Sequence, residues 1–407
     1  QETASTVTLI AKLKSSDPKD TLIVTSIQKM SHIQEEDGVN EQEVRQIADK
    51  RIVFIVDECH RTTFGDMMKA IKTTFPNALF FGFTGTPIHE ENQRKNSTTS
   101  DVFGNELHRY SLADGIRDGN VLGFDVYRVP TFKDSDLRRE IGLLEAKAAD
   151  VAEAMGDEQK KAVYLRFQDS KQMPMAGFYD KNGEYCPGIE DHLPKSQYGS
   201  DKHRRAVVGD IVANWAPLSQ GGMFQAIFAT SSIPEAIAYY RLFKQAHPHL
   251  KVSALFDPNE GNSAGYAFKE TGIMEILDDY NIRYGQHFTM PTYAAFKKDV
   301  ANRLARKAQY KFLHHEKEPH KILDILIVVD QMLTGFDSKW VNTLYVDKLM
   351  RYENIIQAFS RTNRLFGREK QFGTIRYYRY PHTMQRNVAA AVKLFSGDKA
   401  FGLFVDK

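Results

Sequence analysis

The sequence predicts an α/β protein with two domains, each built around a parallel sheet. Two apolar runs, 52–56 and 78–83, are separated by a helical segment, and such alternation is typical of doubly wound α/β folds. Because the run 52–56 is apolar at every position, we expect a strand that is buried on both faces of a parallel sheet. The same alternation returns from about residue 207 to residue 380.

The composition sets the broad class. The chain has 407 residues, enough for two or three domains, and its 42% hydrophobic and 26% charged residues are normal for a soluble globular protein. The two cysteines, Cys59 and Cys186, cannot form a disulfide framework or a zinc site by themselves, so we expect a reducing cytoplasm. Because the net charge is only +2, any nucleic-acid surface must be local.

Changes in composition divide the chain into four predicted parts. They are a first α/β domain (1–130), a linker or insertion (131–206), a second α/β domain (207–380) and the start of a C-terminal helical segment (381–407). The insertion combines a predicted helix at 137–155 with a stretch, 169–200, that lacks any sustained period.

Each domain contains several predicted elements. In the first, the expected strands are 21–25, 52–56, 78–83 and 124–129, and the expected helices are 41–50, 64–74 and 111–120. In the second, the expected strands are 225–230, 251–256, 322–329 and 343–346, and the expected helices are 202–215, 232–245, 296–312 and 353–366. A further helix is expected from Arg386.

Two adjacent carboxylates, Asp57 and Glu58, directly follow the first apolar strand. In open parallel sheets, ligands bind beyond the carboxyl ends of the strands. A strand followed by Asp-Glu is the Walker B arrangement, in which the Asp holds magnesium and the Glu orients the attacking water. The dipeptide alone fits an ordinary strand that ends in a solvated acidic turn equally well.

A second signal is the segment from Gln357 to Arg364. On the predicted helix 353–366, Gln357, Arg361 and Arg364 occur at i, i+4 and i+7 and share one face. Two arginines on one stripe can stabilise phosphoryl charge in a transition state. A solvated basic face would explain an isolated helix of this kind, but the Walker B-like strand elsewhere in the chain favours the catalytic interpretation.

Small hydroxyl or acidic groups follow four predicted strands. They are Thr25-Ser26, Asp57-Glu58, Thr84-Gly85-Thr86 and Thr334-Gly335. Taken singly, the Thr-Gly pairs fit simple turns, although Gly335 would let the backbone approach a ligand closely. Together the four indicate ATP between two sheets and a nucleic-acid backbone alongside, because hydroxyl and backbone donors contact phosphates without reading sequence.

These motifs resemble a known family. Asp57-Glu58-Cys59-His60, Thr84-Gly85-Thr86-Pro87 and the segment 357–364 resemble the DExH, TGTP and QxxxRxxR motifs of superfamily-two helicases and translocases. The longer set 332–337, 344–348 and 357–364 is more specific, and resembles the motor part of the restriction (R) subunit of type I restriction-modification enzymes. The resemblance covers roughly residues 20–400.

The resemblance implies two RecA-like domains that use ATP and magnesium to translocate along double-stranded DNA. It also implies a larger complex with a methyltransferase core of modification and specificity subunits, and a separate nuclease domain. The implied catalytic residues are Glu58, Gln357, Arg361 and Arg364, and the implied metal residue is Asp57. The implied ATP-site residues are Asp57, Glu58, His60, Thr84, Gly85, Thr86, Gly335, Asp337, Arg361 and Arg364. The implied DNA-backbone contacts are Thr25, Ser26, Gln28, Lys29, Thr230 and Thr334.

One motif of the family is absent from the 407 residues. None of the 26 glycines is followed by lysine, so the sequence has no phosphate-cradling G-x-x-x-x-G-K-[ST] loop. We therefore expect an incomplete first domain, a chain that begins after this loop and after the nuclease domain, and little ATP hydrolysis by the chain alone. Two alternatives stay open: another superfamily-two enzyme, such as an RNA helicase or a chromatin-type remodeller, and a non-catalytic DNA-binding or assembly module.

Overall fold

The computed structural model describes residues 3, 5–33, 41–60, 64–93, 98–257 and 266–396. They belong to two compact units, Gln1–Tyr110 and Ser111–Lys407. Each unit contains parallel strands flanked by helices, so the predicted α/β class is confirmed. In the described part of the chain, no helix combines the length and the apolar character needed to cross a membrane.

The first unit contains two paired strands and five helices among its described residues. In chain order they are α1 (Thr6–Lys14), α2 (Ile27–Ser31), α3 (Glu41–Ala48), β1 (Val53–Val56), α4 (Phe64–Thr74), β2 (Leu79–Gly82) and α5 (Thr99–Phe103). The two strands are parallel, with Val53 opposite Leu79 and Val56 opposite Gly82. Helix α4 is amphipathic, and its residues Met68 and Ile71 pack in a core with Phe54 and Phe80.

One face of this small sheet is exposed, so the prediction that the strand at 52–56 is buried on both faces is wrong. Val53 and Ile55 are 51% and 72% exposed, and Leu79 of β2 is 53% exposed. Successive side chains of a strand point to opposite faces. Phe54 and Val56 face the helices, whereas among the described residues of this unit no helix covers the other face. The predicted strand 21–25 is reduced to a single bridge at Val24, whose carbonyl accepts a hydrogen bond from Thr3.

The second unit contains all the remaining elements. Its first part comprises α6 (Leu112–Arg117), β3 (Phe124–Arg128), α7 (Asp134–Glu145), α8 (Val151–Gly156), α9 (Glu158–Gln168), β4 (Phe178–Tyr179), β5 (Tyr185–Cys186) and α10 (Asp201–Ser219). Its second part comprises β6 (Gln225–Thr230), α11 (Ile233–Ala246), β7 (Val252–Leu255), α12 (Tyr266–Tyr284), α13 (Tyr293–Ala305), β8 (Ile325–Val328), β9 (Val341–Asp347), α14 (Glu353–Phe359), β10 (Gly373–Tyr377) and α15 (Pro381–Ser396).

Six of these strands form one parallel sheet in the order β3-β10-β9-β6-β8-β7. Every residue of β6, β8 and β9 is buried, as expected for central strands with helices on both faces. The hairpin β4-β5 and helices α7 and α9 belong to the predicted insertion, which has a small core of its own that includes Leu137, Ile141 and Phe167.

Two predicted boundaries differ from the structure. Strand β3, which we assigned to the first domain (1–130), pairs with β10, so that Phe124 lies opposite Gly373 in the sheet of the second unit. Helix α15, which we assigned to a separate C-terminal segment (381–407), buries Met384 and Phe395 in the main core of the same unit. In both cases an apolar face completes the core of the second unit, a long-range contact that local composition does not reveal.

Candidate functional site

The two motifs of the first unit lie side by side because β1 and β2 are parallel neighbours. Phe83 donates its backbone N–H to the Val56 carbonyl at 2.8 Å, and Cys59 donates its backbone N–H to the Phe83 carbonyl at 3.1 Å. The turn that begins at Asp57 and the loop that begins at Thr84 therefore share one edge of the sheet. This is the edge at which ligands of parallel sheets bind.

The two carboxylates of the turn have different backbone conformations. Glu58 has a φ of +51°, in the left-handed region that is uncommon for residues other than glycine. Its backbone N–H donates to Asp57 Oδ1 at 2.9 Å, which fixes the Asp57 side chain against the turn. Such strained residues cluster at functional sites, and the observed strain is consistent with a site here.

His60 connects the two motifs. Its Nδ1 lies 2.7 Å from the Thr84 hydroxyl and 3.4 Å from Glu58 Oε2. The Thr84 hydroxyl also accepts the Thr86 backbone N–H at 3.0 Å. The ring of His60 is only 8% exposed, so burial holds it in this bridging position. The structure thus brings together the predicted residues Glu58, His60, Thr84 and Thr86 within the first unit.

The neighbouring thiol is not suited to chemistry at neutral pH. Burial raises the pKa of Cys59 to about 11, with the charges of Asp57 and Glu58 acting in the same direction. Within the described residues, no group of three or more His, Cys, Asp or Glu side chains could hold a metal ion. The exposed carboxylate of Asp57 fits magnesium nonetheless, because magnesium commonly takes one or two carboxylates together with water and phosphate oxygens.

The second unit brings its own two motifs together. Arg361 donates from Nε to the Gln357 carbonyl at 2.9 Å and from Nη1 to the Phe336 carbonyl. Arg364 Nε lies 2.8 Å from Asp337 Oδ1. The loop from Thr334 to Asp337 therefore holds both predicted arginines, and Gly335 adopts a φ of +70° within it. At that angle a side chain would be strained.

The predicted helix 353–366 is too long, which is a correction to our interpretation. Helix α14 ends at Phe359, so Arg361 and Arg364 do not continue its face. The Ser360 and Thr362 hydroxyls donate to the Ile356 and Phe359 carbonyls, at 2.7 Å and 2.9 Å, as such residues do at helix ends. The arginines meet the 334–337 loop through tertiary contacts instead of helical spacing.

A buried charged cluster lies at the carboxyl end of β9. Asp347 is fully buried and accepts hydrogen bonds from His203 Nε2 (2.8 Å), Tyr239 (2.8 Å) and Arg379 Nη2 (2.9 Å). Burial alone raises the pKa of the Asp347 carboxyl, but the hydrogen bond and charge of His203 and the charge of Arg379 outweigh it, and the pKa lies below its usual value. Asp347 thus stays ionised and ties α10 to the centre of the sheet.

The predicted DNA contacts differ in accessibility. Thr334 and Gln28 are exposed. The Ser26 hydroxyl caps α2 by accepting the Lys29 backbone N–H, and the Thr25 hydroxyl accepts a hydrogen bond from Thr3. Lys29 donates its ammonium to the Thr3 carbonyl.

The structure corrects the prediction that Thr230 contacts DNA. It is fully buried, and its hydroxyl donates to the Val328 carbonyl at 3.1 Å. The hydroxyl is used within the sheet because it ends a central strand, so burial removes Thr230 from the candidate DNA contacts.

Sequence reasoning did not place two residues of these clusters in a site. Asp347 is the last residue of β9 and Asp57 directly follows β1, so the strand-end rule that found Asp57 would also have found Asp347. Lys307 lies with Nζ 3.7 Å from Asp337 Oδ2, beside the Asp337–Arg364 pair. Lys307 belongs to a generally basic stretch, and no local signal separates it from its neighbours.

Parallel strands that end in Asp-Glu-Cys-His and Thr-Gly-Thr-Pro, joined by a His–Thr contact, define a helicase-like ATPase domain. In agreement, residues 1–161 match the family model "SWI2/SNF2 ATPase" and residues 222–380 match the model "Type I restriction enzyme subunit R domain 3". Over nearly its whole length, the chain is similar to the endonuclease (R) subunits of type I restriction enzymes.

Two relatives illustrate this similarity. The endonuclease subunit SsaAORF53P of Staphylococcus saprophyticus is 34% identical over 406 residues, which is 97% of this chain and 37% of that protein. The HindI endonuclease subunit of Haemophilus influenzae is 26% identical over 363 residues, 85% of this chain and 28% of that protein. The chain thus spans little more than a third of the length of the first of these relatives.

A solved structure also matches. The ATP-dependent type ISP restriction-modification enzyme LlaBIII bound to DNA is 15% identical, with a TM-score of 0.45, over 91% of this chain and 21% of that one.

Proposed function

We propose that the chain is the ATP-hydrolysing motor segment of a type I restriction endonuclease, and that this motor translocates double-stranded DNA. The observation that supports the proposal most directly is the 2.7 Å contact between His60 and Thr84, which links the two strand-end motifs of the first unit. Similarity to type I endonuclease subunits over 97% of the chain supports the same assignment.

In this proposal, Asp57 would hold magnesium, and Glu58 would orient the water that attacks ATP. Bound magnesium would neutralise charge on the phosphate oxygens. His60 lies 3.4 Å from the Glu58 carboxylate and 2.7 Å from the Thr84 hydroxyl, so it can transmit a shift of the Thr84–Thr86 loop to Glu58. Hydrolysis and conformational change would be coupled through this single imidazole.

For the second unit, the proposed role of Arg361 and Arg364 is to stabilise phosphoryl charge during ATP hydrolysis. The carbonyls of Gln357 and Phe336 position Arg361. Gly335 would let the loop backbone approach the phosphate closely. The Asp337–Arg364 pair is exposed, with 59% and 40% of the two side chains accessible. Because exposed pairs contribute only about 0–1 kcal/mol, a phosphate can take Arg364 from Asp337 at little cost.

The proposed partners are double-stranded DNA and a methyltransferase core of modification and specificity subunits. Thr25, Ser26, Gln28, Lys29 and Thr334 are the proposed contacts to the DNA backbone. Hydroxyl, amide and ammonium groups of this kind fix a protein on DNA without reading its sequence. Site recognition and cleavage are assigned to other parts of the assembly.

The test is DNA-stimulated ATP hydrolysis by a complete R subunit that carries this segment. Arg361→Ala should lower turnover by about 10³-fold or more, the range measured for arginine fingers. Arg368→Ala removes an exposed arginine from the neighbouring loop and should leave turnover near normal. Unchanged turnover in Arg361→Ala would refute the assignment. Equal stimulation by RNA would favour the RNA-helicase alternative over a DNA motor.

A further inference from the structure

A cleft of about 720 Å³ lies in the second unit, near the amino end of β8. Its floor is the guanidinium of Arg303, a residue that is only 2% exposed. This group stacks between two rings, 3.8 Å from the centre of the Tyr284 ring and 4.2 Å from that of Tyr310. The floor is thus both aromatic and cationic.

Hydrogen bonds fix this floor rigidly. Arg303 donates to the Tyr280 hydroxyl at 2.8 Å, to the Tyr310 hydroxyl at 2.7 Å and to the Lys321 carbonyl at 2.7 Å. Asp299 accepts from both of those tyrosine hydroxyls and neutralises the guanidinium. The bond to Lys321 anchors the backbone at the rim, so the rim side chains start from a fixed position.

The rim carries exposed cations and one exposed ring. Arg283 and Lys321 line the opening. Phe312, also at the opening, is 86% exposed, and the Lys311 ammonium lies 5.5 Å from the centre of its ring. A phenylalanine this exposed contributes little to the stability of the protein core, so its ring is available to pack against a ligand.

Cations beside an exposed aromatic ring form the combination with which proteins bind unpaired nucleotides. The cations contact phosphates, and the ring stacks on a base. We propose that this cleft binds a segment of single-stranded nucleic acid, with Phe312 stacked on a base and Arg283 and Lys321 on the adjoining phosphates. None of these residues belongs to the proposed ATP site or to the proposed duplex contacts, so the site is additional to the motor function.

The surrounding charge favours a strand over a free nucleotide. Lys311 and Lys317 are exposed and lie close to Phe312 in the sequence. A mononucleotide would fill the cleft and gain little from them, whereas a polyanion gains from every phosphate neutralised. One carboxylate opposes binding: Glu318 lines the cleft and accepts a hydrogen bond from Lys321 at 2.5 Å.

The test is fluorescence anisotropy of a dye-labelled oligothymidine of about 12 nucleotides, within known site sizes, titrated with the 407-residue chain. Phe312→Ala should weaken binding by about 5- to 100-fold, the usual effect of losing one stacked base. Arg283→Ala combined with Lys321→Ala should reduce the slope of log affinity against log salt by about 1.4. Glu318→Gln should tighten binding by about 1.4- to 5-fold, because it frees Lys321.

The matched control is Lys297→Ala with Lys298→Ala, which removes two exposed charges of α13 that do not line the cleft. It should change affinity much less than the rim pair does. Unchanged binding in Phe312→Ala, or an equal loss in the lysine control, would overturn the proposal in favour of unspecific attraction. Displacement of the oligonucleotide by ATP would assign the cleft to a free nucleotide instead. Equal binding of duplex DNA with the same dependence on Phe312 would also overturn it.

Discussion

Replacing Asp347 by alanine tests how strongly the buried charged cluster holds the second unit together. The carboxylate is fully buried and accepts hydrogen bonds from His203, Tyr239 and Arg379. Asp347→Ala leaves the Arg379 guanidinium largely buried without its main counter-charge. Removing one partner of a buried ion pair typically costs about 3–5 kcal/mol, so we expect the free energy of unfolding to fall by that amount.

The chain offers a control with the same chemistry at the surface. Arg364 contacts Asp337 at 2.8 Å and Arg379 contacts Asp347 at 2.9 Å, but the carboxylate of the first pair is 59% exposed and that of the second is inaccessible. Asp337→Ala should therefore cost no more than about 1 kcal/mol. The two substitutions remove the same group at nearly the same distance from an arginine, so the difference between them reports the burial of Asp347 together with its buried hydrogen bonds to His203 and Tyr239.

Urea unfolding followed by tryptophan fluorescence is the assay, because the only two tryptophans, Trp215 and Trp340, both lie in the second unit. The measurement belongs at pH 7. The pKa of Asp347 is lowered in the folded protein, so its contribution is complete above the unfolded value of about 3.9 and is lost only as the pH falls through the lower folded value. If Asp347→Ala and Asp337→Ala differ by less than about 1 kcal/mol, the reasoning from burial is refuted.

Two further predictions concern single side chains. Burial, reinforced by a nearby arginine, lowers the pKa of Lys370 to about 7, so unfolding takes up a proton between pH 7 and about pH 10, and stability should rise with pH across that window. Urea titrations at pH 7 and about pH 10 should show a smaller rise in the free energy of unfolding for Lys370→Met than for the unchanged protein. Equal rises in the two proteins would contradict this prediction. A Cβ on Gly82 would lie 2.8 Å from Cys59 Sγ and 2.9 Å from Phe103, whereas one on Gly85 meets nothing within 4 Å. Gly82→Ala should therefore destabilise the first unit by about 1–3 kcal/mol and Gly85→Ala should not, as measured by thermal melting and limited proteolysis; equal melting would contradict this.

The sequence predicted the sheet of the second unit better than that of the first, for a physical reason. A fully apolar run such as Ala226 to Ala229 is buried on both faces because helices cover both, and the prediction of buried strands holds there. The run 52–56 has the same pattern, yet Ile55 is 72% exposed. An apolar pattern indicates that a strand is suited to burial, but it does not indicate which segment of the protein covers the strand.

The proximity of candidate site residues was predictable where strand ends carried them. Asp57 and Thr84 follow parallel strands, and their proximity follows from strand pairing alone. The contact between Arg364 and Asp337 was not predictable in this way, because it depends on where α14 stops. Helical spacing applies only as far as the backbone stays helical. Beyond Phe359, the hydroxyls of Ser360 and Thr362 donate hydrogen bonds to carbonyls of the preceding turn, where the helix ends.

The end of α14 is fixed by packing as well as by local bonds. Thr362 and Asn363 are buried, and the Asn363 carbonyl accepts the Leu122 backbone N–H at 2.8 Å, ahead of β3. A Cβ on Gly373, the first residue of β10, would lie 2.1 Å from the Thr362 hydroxyl, so the close approach of these segments requires glycine. The segment that carries both arginines is therefore held between α14 and β10. Gly373→Ala should displace Arg361 and Arg364 although it changes neither residue. Under the proposed role of these arginines, it should lower ATP turnover in a complete subunit while leaving the Asp57 motif intact.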